Sequence, residues 1–88
     1  MNDSTRSLRQ RLHVLDGLLL AIERRHELVD IVSGCESTDM AVHRITARFG
    51  VTEPAARVLL DMQFRRLLPQ EVDKLRQEAA QLRATLDP

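Results

Sequence analysis

From Leu8 onward the apolar positions fall at Leu8, Leu12, Leu15, Leu19, Ile22 and Val29, with His26 on the step between the last two. The intervals alternate between four and three residues, which is the a/d seam of a heptad repeat. Ser7 followed by Gln10 fits a capping box at the start. Ser33-Gly34 supplies the stop, because glycine tolerates the left-handed conformation at a helix end. The pattern predicts one helix over 4–33, roughly 45 Å long at 1.5 Å per residue. Leu18, Leu28 and Ile31 widen the stripe, so a second packing surface is expected there. His26 on the seam reads as a polar register-setting residue.

The last segment repeats the pattern. Val72, Leu75, Ala79, Leu82 and Leu86 step at the same alternating intervals, and Pro69 sits where the first turn of a helix tolerates it. This predicts a returning helix over 69–87, antiparallel to the first. Ala79, and Gly17 in the first helix, would let the two approach closely. Glycine inside a helix costs about 1 kcal/mol relative to alanine, so Gly17 implies a packing reason. Between them, residues 34–68 hold two short helices. Thr38-Asp39 caps one that runs to Phe49 with Ile45 and Phe49 on one face; Gly50 ends it. Thr52-Glu53-Pro54 starts another, carrying Val58, Leu59, Met62 and Leu67. Strand-like alternation is absent. The expected fold class is all-α, one domain over 1–88.

Size changes the picture. A chain of 88 residues buries only about 60–65% of the surface it exposes when unfolded, so self-association is an expected remedy for marginal stability. Thirteen basic and thirteen acidic residues give no net charge, which argues against a general nucleic-acid or membrane binder. Cys35 is the only cysteine, so no intrachain disulfide forms. The polar N-terminus lacks a signal-peptide core and no apolar run nears the ~20 residues of a membrane span; the cytoplasm is the expected location.

Candidate chemistry is sparse. His13 and His26 lie thirteen residues apart, roughly 20 Å along one helix, and with His43 they form no ligand cluster, so neither a metal nor a cofactor is expected. Asp61, between Leu60 and Met62, reads as solvated, as a cap, or as a partner of Arg65 at i+4. Catalysis would need a second convergent carboxylate, and none is indicated. The doublets Arg24-Arg25 and Arg65-Arg66 read first as solvated faces. A rival reading takes Thr46–Val58 as the turn of a helix-turn-helix, with Gly50 in the turn, Ala56 and Leu59 facing inward, and Thr52, Glu53, Ala55 and Arg57 offered to DNA. Arg57, Arg65 and Arg66 are its candidate DNA contacts.

Arg11-Leu12-His13-Val14-Leu15-Asp16-Gly17-Leu18, then Phe49-Gly50-Val51-Thr52-Glu53, Leu59-Leu60-Asp61-Met62 and Asp73-Lys74-Leu75 closely resemble one segment of a known family. The segment is the coiled coil and exit gate of the A subunits of bacterial DNA gyrase and topoisomerase IV. The resemblance covers about Leu8 to Leu82. It implies an antiparallel coiled-coil arm, with seam residues Leu8, Leu12, Leu15, Leu19, Ile22, Val72, Leu75, Ala79 and Leu82. A small helical knob would tip the arm and make a two-fold homodimer through Val58, Leu59, Met62, Phe64 and Leu67. The family usually has Thr-Gly-Leu where this chain has Leu68-Pro69-Gln70, and a non-proline residue at Pro54; both departures alter turns. Family members cut DNA with a tyrosine, and this chain contains none. The resemblance also leaves out the winged-helix, tower and DNA-wrapping domains. The expectation is a stand-alone, non-catalytic gate arm that pairs with itself, modulates a resident type II topoisomerase through its gate, or dimerises another protein. The alternative is a small DNA-binding regulator built on the middle helices.

Overall fold

Arg24 interrupts the first helical run. Its backbone leaves the helical region, at φ −112° and ψ 38°, and the helix expected over 4–33 becomes two: α1 (Asp3–Glu23) and α2 (Arg25–Ser33). Three further helices follow, α3 (Thr38–Phe49), α4 (Glu53–Leu60) and α5 (Pro69–Leu86), with a 3-10 turn at Phe64–Leu67 before the last. The structure, a computed structural model, describes residues 3–87; they contain no strand.

Local chemistry sets most boundaries. Ser37, rather than Thr38, caps α3: its Oγ accepts the Met40 N–H at 3.1 Å, which satisfies one of the free donors of a helix start. Gly50, at φ +67°, ends α3 in the left-handed conformation that favours glycine. Thr52 Oγ1 then accepts the Ala55 N–H at 3.4 Å to open α4, and Pro54 fits within its first turn. Two expected signals act differently. Gly34 sits at φ −90°, ψ 2°, so α2 ends through a tightened last turn and not through left-handed glycine. Its N–H bonds to the carbonyls of Asp30 and Ile31. Ser7 lies inside α1 and does not cap its start.

The helices share one core. Leu15, Leu18, Ala21 and Ile22 of α1 meet Val42, Ile45 and Phe49 of α3, Leu59 of α4, and Val72, Leu75 and Ala79 of α5. Helix α1 packs on both α5 and α4, and α3 packs on α4 and α2. Gly17 does serve packing, but against a different neighbour from the one expected. A Cβ there would lie 3.1 Å from Val51 Cγ1 and 3.6 Å from Ala55 Cβ. The glycine therefore lets α4 and its leading loop, not α5, approach α1.

Of the seam positions, Leu15, Ile22, Val72, Leu75 and Ala79 are buried, while Leu8, Leu12, Leu19 and Leu82 are half-buried. His26 is exposed and so is Val29, at 54%; the break at Arg24 turns α2 so that Leu28 faces the core instead. Two ion pairs span α1 and α5, Arg11 with Glu78 and Arg83 with Asp16, the latter at 2.6 Å. All four side chains are substantially exposed, so each pair contributes about 0–1 kcal/mol. The body measures 42 × 30 × 17 Å with a radius of gyration of 13.6 Å. A spherical domain of this length would give about 12 Å. A flat shape of this kind leaves much of every helix facing outward.

Candidate protein-contact site

Helix α4 is short and held between α1 and α3, so its inward positions go to Ala55, Ala56 and Leu59. Val58, one residue before Leu59, points outward and remains 44% exposed. The helix then stops. Asp61 N–H bonds to the Arg57 carbonyl and Met62 N–H to that of Leu59, both at 3.2 Å. Past Met62 the chain makes the 3-10 turn Phe64–Leu67, closed by Arg66 N–H to Gln63 O at 3.0 Å and Leu68 N–H to Arg65 O at 3.1 Å.

Pro69 explains what comes next. A residue before proline is driven to extended backbone, and Leu68 sits at φ −61°, ψ 136°. That conformation ends the 3-10 turn and directs Leu68 outward, 48% exposed. Phe64, at the start of the turn, is 84% exposed. Met62 and Leu67 are half-buried against the core. Among the described residues, three of the four large apolar side chains that face solvent therefore lie within 58–68, Val29 being the other. Scattered exposed apolar residues are ordinary, and their concentration in one short stretch makes this the candidate contact surface.

Of the five interface positions read from the sequence, the structure turns Val58 and Phe64 outward, leaves Met62 and Leu67 half-buried, and places Leu59 inside at 3% exposure. Sequence reasoning passes over Leu68, although the proline after it carries the signal.

The arginines of this region are partly committed. Arg57 donates from Nε and Nη2 to Glu53 Oε1 at 3.2 and 3.0 Å. Arg65 donates from Nε to Gln63 Oε1 at 2.8 Å, and Asp61 caps α4 through its backbone instead of pairing with Arg65. Arg66 lines the groove that α4 and α5 border.

A second polar cluster lies at the α1/α2 break. Arg24 donates from Nε and Nη2 to the Glu27 carboxylate at 2.8 and 2.9 Å, and Arg48 from α3 joins the same carboxylate. The Arg24 guanidinium also lies over the buried Phe49 ring, 4.9 Å from its centroid, a cation–π contact. The Arg48 hydrogen bond holds the Glu27 carboxyl below its usual 4.5; partial burial works in the opposite direction and Arg24 adds to the lowering. Arg24 is thus a clasp and not a solvated charge.

His13, His26 and His43 are exposed on three different helices. No group of three or more His, Cys, Asp or Glu side chains suited to hold a metal occurs among the described residues. Cys35 is half-buried, with Sγ 3.1 Å from the Ile31 carbonyl. No helix among the described residues is long and apolar enough to cross a membrane.

Residues 2–88 match the family model of the A subunit of DNA gyrase/topoisomerase IV. Among curated relatives, the DNA gyrase A subunit of Deinococcus deserti is 34% identical over 82 residues, 93% of this chain and 10% of its own length. That of Mycoplasma pneumoniae is 36% identical over 78 residues, 89% of this chain and 9% of its own. That of Brachyspira hyodysenteriae is 38% identical over 73 residues, 83% and 9%. The chain thus spans about a tenth of the length of these relatives.

Proposed function

The chain belongs to the family of DNA gyrase/topoisomerase IV A subunits, and from that premise we propose that it is a non-catalytic dimerisation module of the exit-gate kind. In this reading α1 and α5 form the antiparallel coiled-coil arm, and the elements between them form the knob. Two knobs meet about a two-fold axis through Phe64, Leu68, Val58 and Met62, with Leu67 behind them. Leu59 supports the knob from inside its own protomer. The observation that carries the reading is the outward apolar stretch 58–68, with Phe64 84% exposed. A domain this flat, with a core this small, gains most from covering such a surface with its own copy.

The partner is a second copy of this chain or the equivalent arm of a type II topoisomerase. The chain carries no tyrosine and matches only a small part of the gyrase A subunits, so its action on a topoisomerase would be to pair and modulate. The DNA-binding alternative is the weaker of the two. Glu53 occupies the first turn of its would-be recognition helix and already holds Arg57, so the one basic candidate on that helix is presented as a neutralised pair, and Arg65 and Arg66 lie outside the helix on the 3-10 turn.

Sedimentation of the purified chain across a dilution series tests the reading. It predicts a species of twice 10.1 kDa that dissociates reversibly on dilution, and co-purification with the gyrase gate if the hetero-pairing form holds. A folded monomer at every concentration would remove the self-pairing form, and a folded monomer that also fails to co-purify with a gyrase gate would remove the proposal.

A further inference from the structure

A groove of about 810 Å³ runs between the N-terminal half of α1, the start of α4 and the face of α5. Its floor is closed by the core residues Leu15, Leu18 and Leu75, each only 4–6% exposed, and its apolar walls are Val14, Pro54 and Val58, of which Val58 is 44% exposed. Its rim is basic: Arg6 and Arg9 project from α1 and Arg66 from the 3-10 turn. None of these three arginines has an ion-pair partner among the described residues. Glu78, the one carboxylate among the described residues lining the groove, is already engaged by Arg11. A chain with no net charge has therefore concentrated three uncompensated positive charges around one apolar trough.

We propose that this groove takes the apolar face of an acidic amphipathic helix from a partner protein. Such a helix would set leucine-type anchors on the floor, in the helix-in-groove manner. Carboxylates flanking its apolar stripe would meet Arg6, Arg9 and Arg66 in charge-assisted, bidentate pairs. The composition of the trough favours this occupant over nucleic acid. Phosphates would satisfy the rim but leave the apolar walls uncovered, and no Phe, Tyr or Trp lines the groove; His13 is the one ring there on which a base would stack. The surface is centred away from the dimer contact proposed above. Val58 borders both and Arg66 lies on the turn that carries Phe64, but neither Phe64 nor Leu68 lines the groove, so the variants at Arg6 and Arg9 and at Phe64 separate the two readings.

The test uses the whole chain and a fluorescent helical peptide carrying Leu at i, i+3, i+4 and i+7 with Glu on both flanks, followed by anisotropy. Saturable binding is expected, weakened by salt, and reduced about tenfold or more by the double charge reversal Arg6→Glu with Arg9→Glu. Both positions are exposed, and an unchanged circular dichroism melt establishes that the variant is folded. Backbone amide shifts should map to residues 6–18 and to α5 around Leu75, and Phe64→Glu should leave peptide binding intact. The same peptide with Lys replacing Glu should not bind. Equal binding of the Glu and Lys peptides, shifts confined to Phe64 and Leu68, or tighter capture of duplex DNA at Arg6 and Arg9 would each overturn the proposal.

Discussion

Replacing Phe64 with glutamate separates contact from fold. The side chain is 84% exposed in the single protomer, so almost none of its burial contributes to folding, and almost all of it remains available to an association. Fully burying a phenylalanine contributes about 2 kcal/mol. A two-fold contact uses each copy once, so the pair of them contributes roughly 4 kcal/mol. At about 1.4 kcal/mol per decade, that is roughly a thousandfold in the dimer constant. The substitution also asks two carboxylates to enter an apolar surface, which adds to the loss. Phe64→Glu should therefore sediment as a monomer at concentrations where the native chain is dimeric. At dilutions where both chains are monomeric, its thermal melt should stay within about 0.5 kcal/mol of native, as for a surface substitution, and only at higher concentration should the native chain melt later, through association. A Phe64→Glu chain with native melt and native dimer constant would refute the argument, since the most exposed large side chain of the stretch would then lie outside the contact.

Further consequences follow from the same structure. Val58→Glu and Leu59→Glu, compared with the native chain at dilutions where it is monomeric, alter adjacent residues with opposite expected results: the exposed position should keep its melt within about 1 kcal/mol, and the position at 3% exposure should lose several kcal/mol or fail to fold; similar melts for both would show that the faces of α4 are misassigned. Gly17→Ala gains about 1 kcal/mol of helix propensity but sets a Cβ 3.1 Å from Val51 Cγ1. The gain should be small in the native background and full beside Val51→Ala, and a full gain in the native chain, by denaturant titration, would place Val51 elsewhere. Glu27, whose folded pKa lies below its usual 4.5, contributes stability that is present above that pH and lost as pH falls through the folded value. Melts of the native chain and Glu27→Gln should differ near neutrality and converge in acid, and a constant gap down the acid limb would exclude the clasp.

Much of the fold is legible in single residues because the forces that set it are local. Gly50 ends α3 and Pro69 opens α5 whatever packs around them, and Thr52 caps α4 by bonding to an N–H only three residues ahead. The break at Arg24 is different. The apolar steps continue through His26 to Val29 without a pause, so periodicity alone extends the helix. Two groups on α3 accompany the break: Arg48, which reaches back to Glu27, and Phe49, whose ring lies under Arg24. Only Arg24 with Glu27, a neighbour at i+3, could have hinted at it. A local pattern carries no information about a partner some twenty residues away.

The proposed contact surface shows the same limit from the other side. The helical period through α4 separates an inward face from an outward one, and it is sound for Ala55, Ala56, Val58 and Leu59. Which of the two faces is covered depends on α1 and α3, which the period does not see. Leu59 looks as available as Val58 until those helices are in place. Beyond Leu60 the period no longer applies, because regular helix gives way to a short connection and then to the 3-10 turn. Extrapolating a helix to Met62 and Leu67 mixes half-buried residues into the exposed set and passes over Leu68. Val58 turns outward as the uncovered position of α4 itself, whereas Phe64 and Leu68 do so where regular helix has given out, Leu68 under the constraint of Pro69. A helix face must be covered by its neighbours to be stable, whereas a short irregular connection can carry apolar side chains outward at little cost to the core. That is why the proposed contact surface reaches past α4 into the stretch where the chain's own pattern says least.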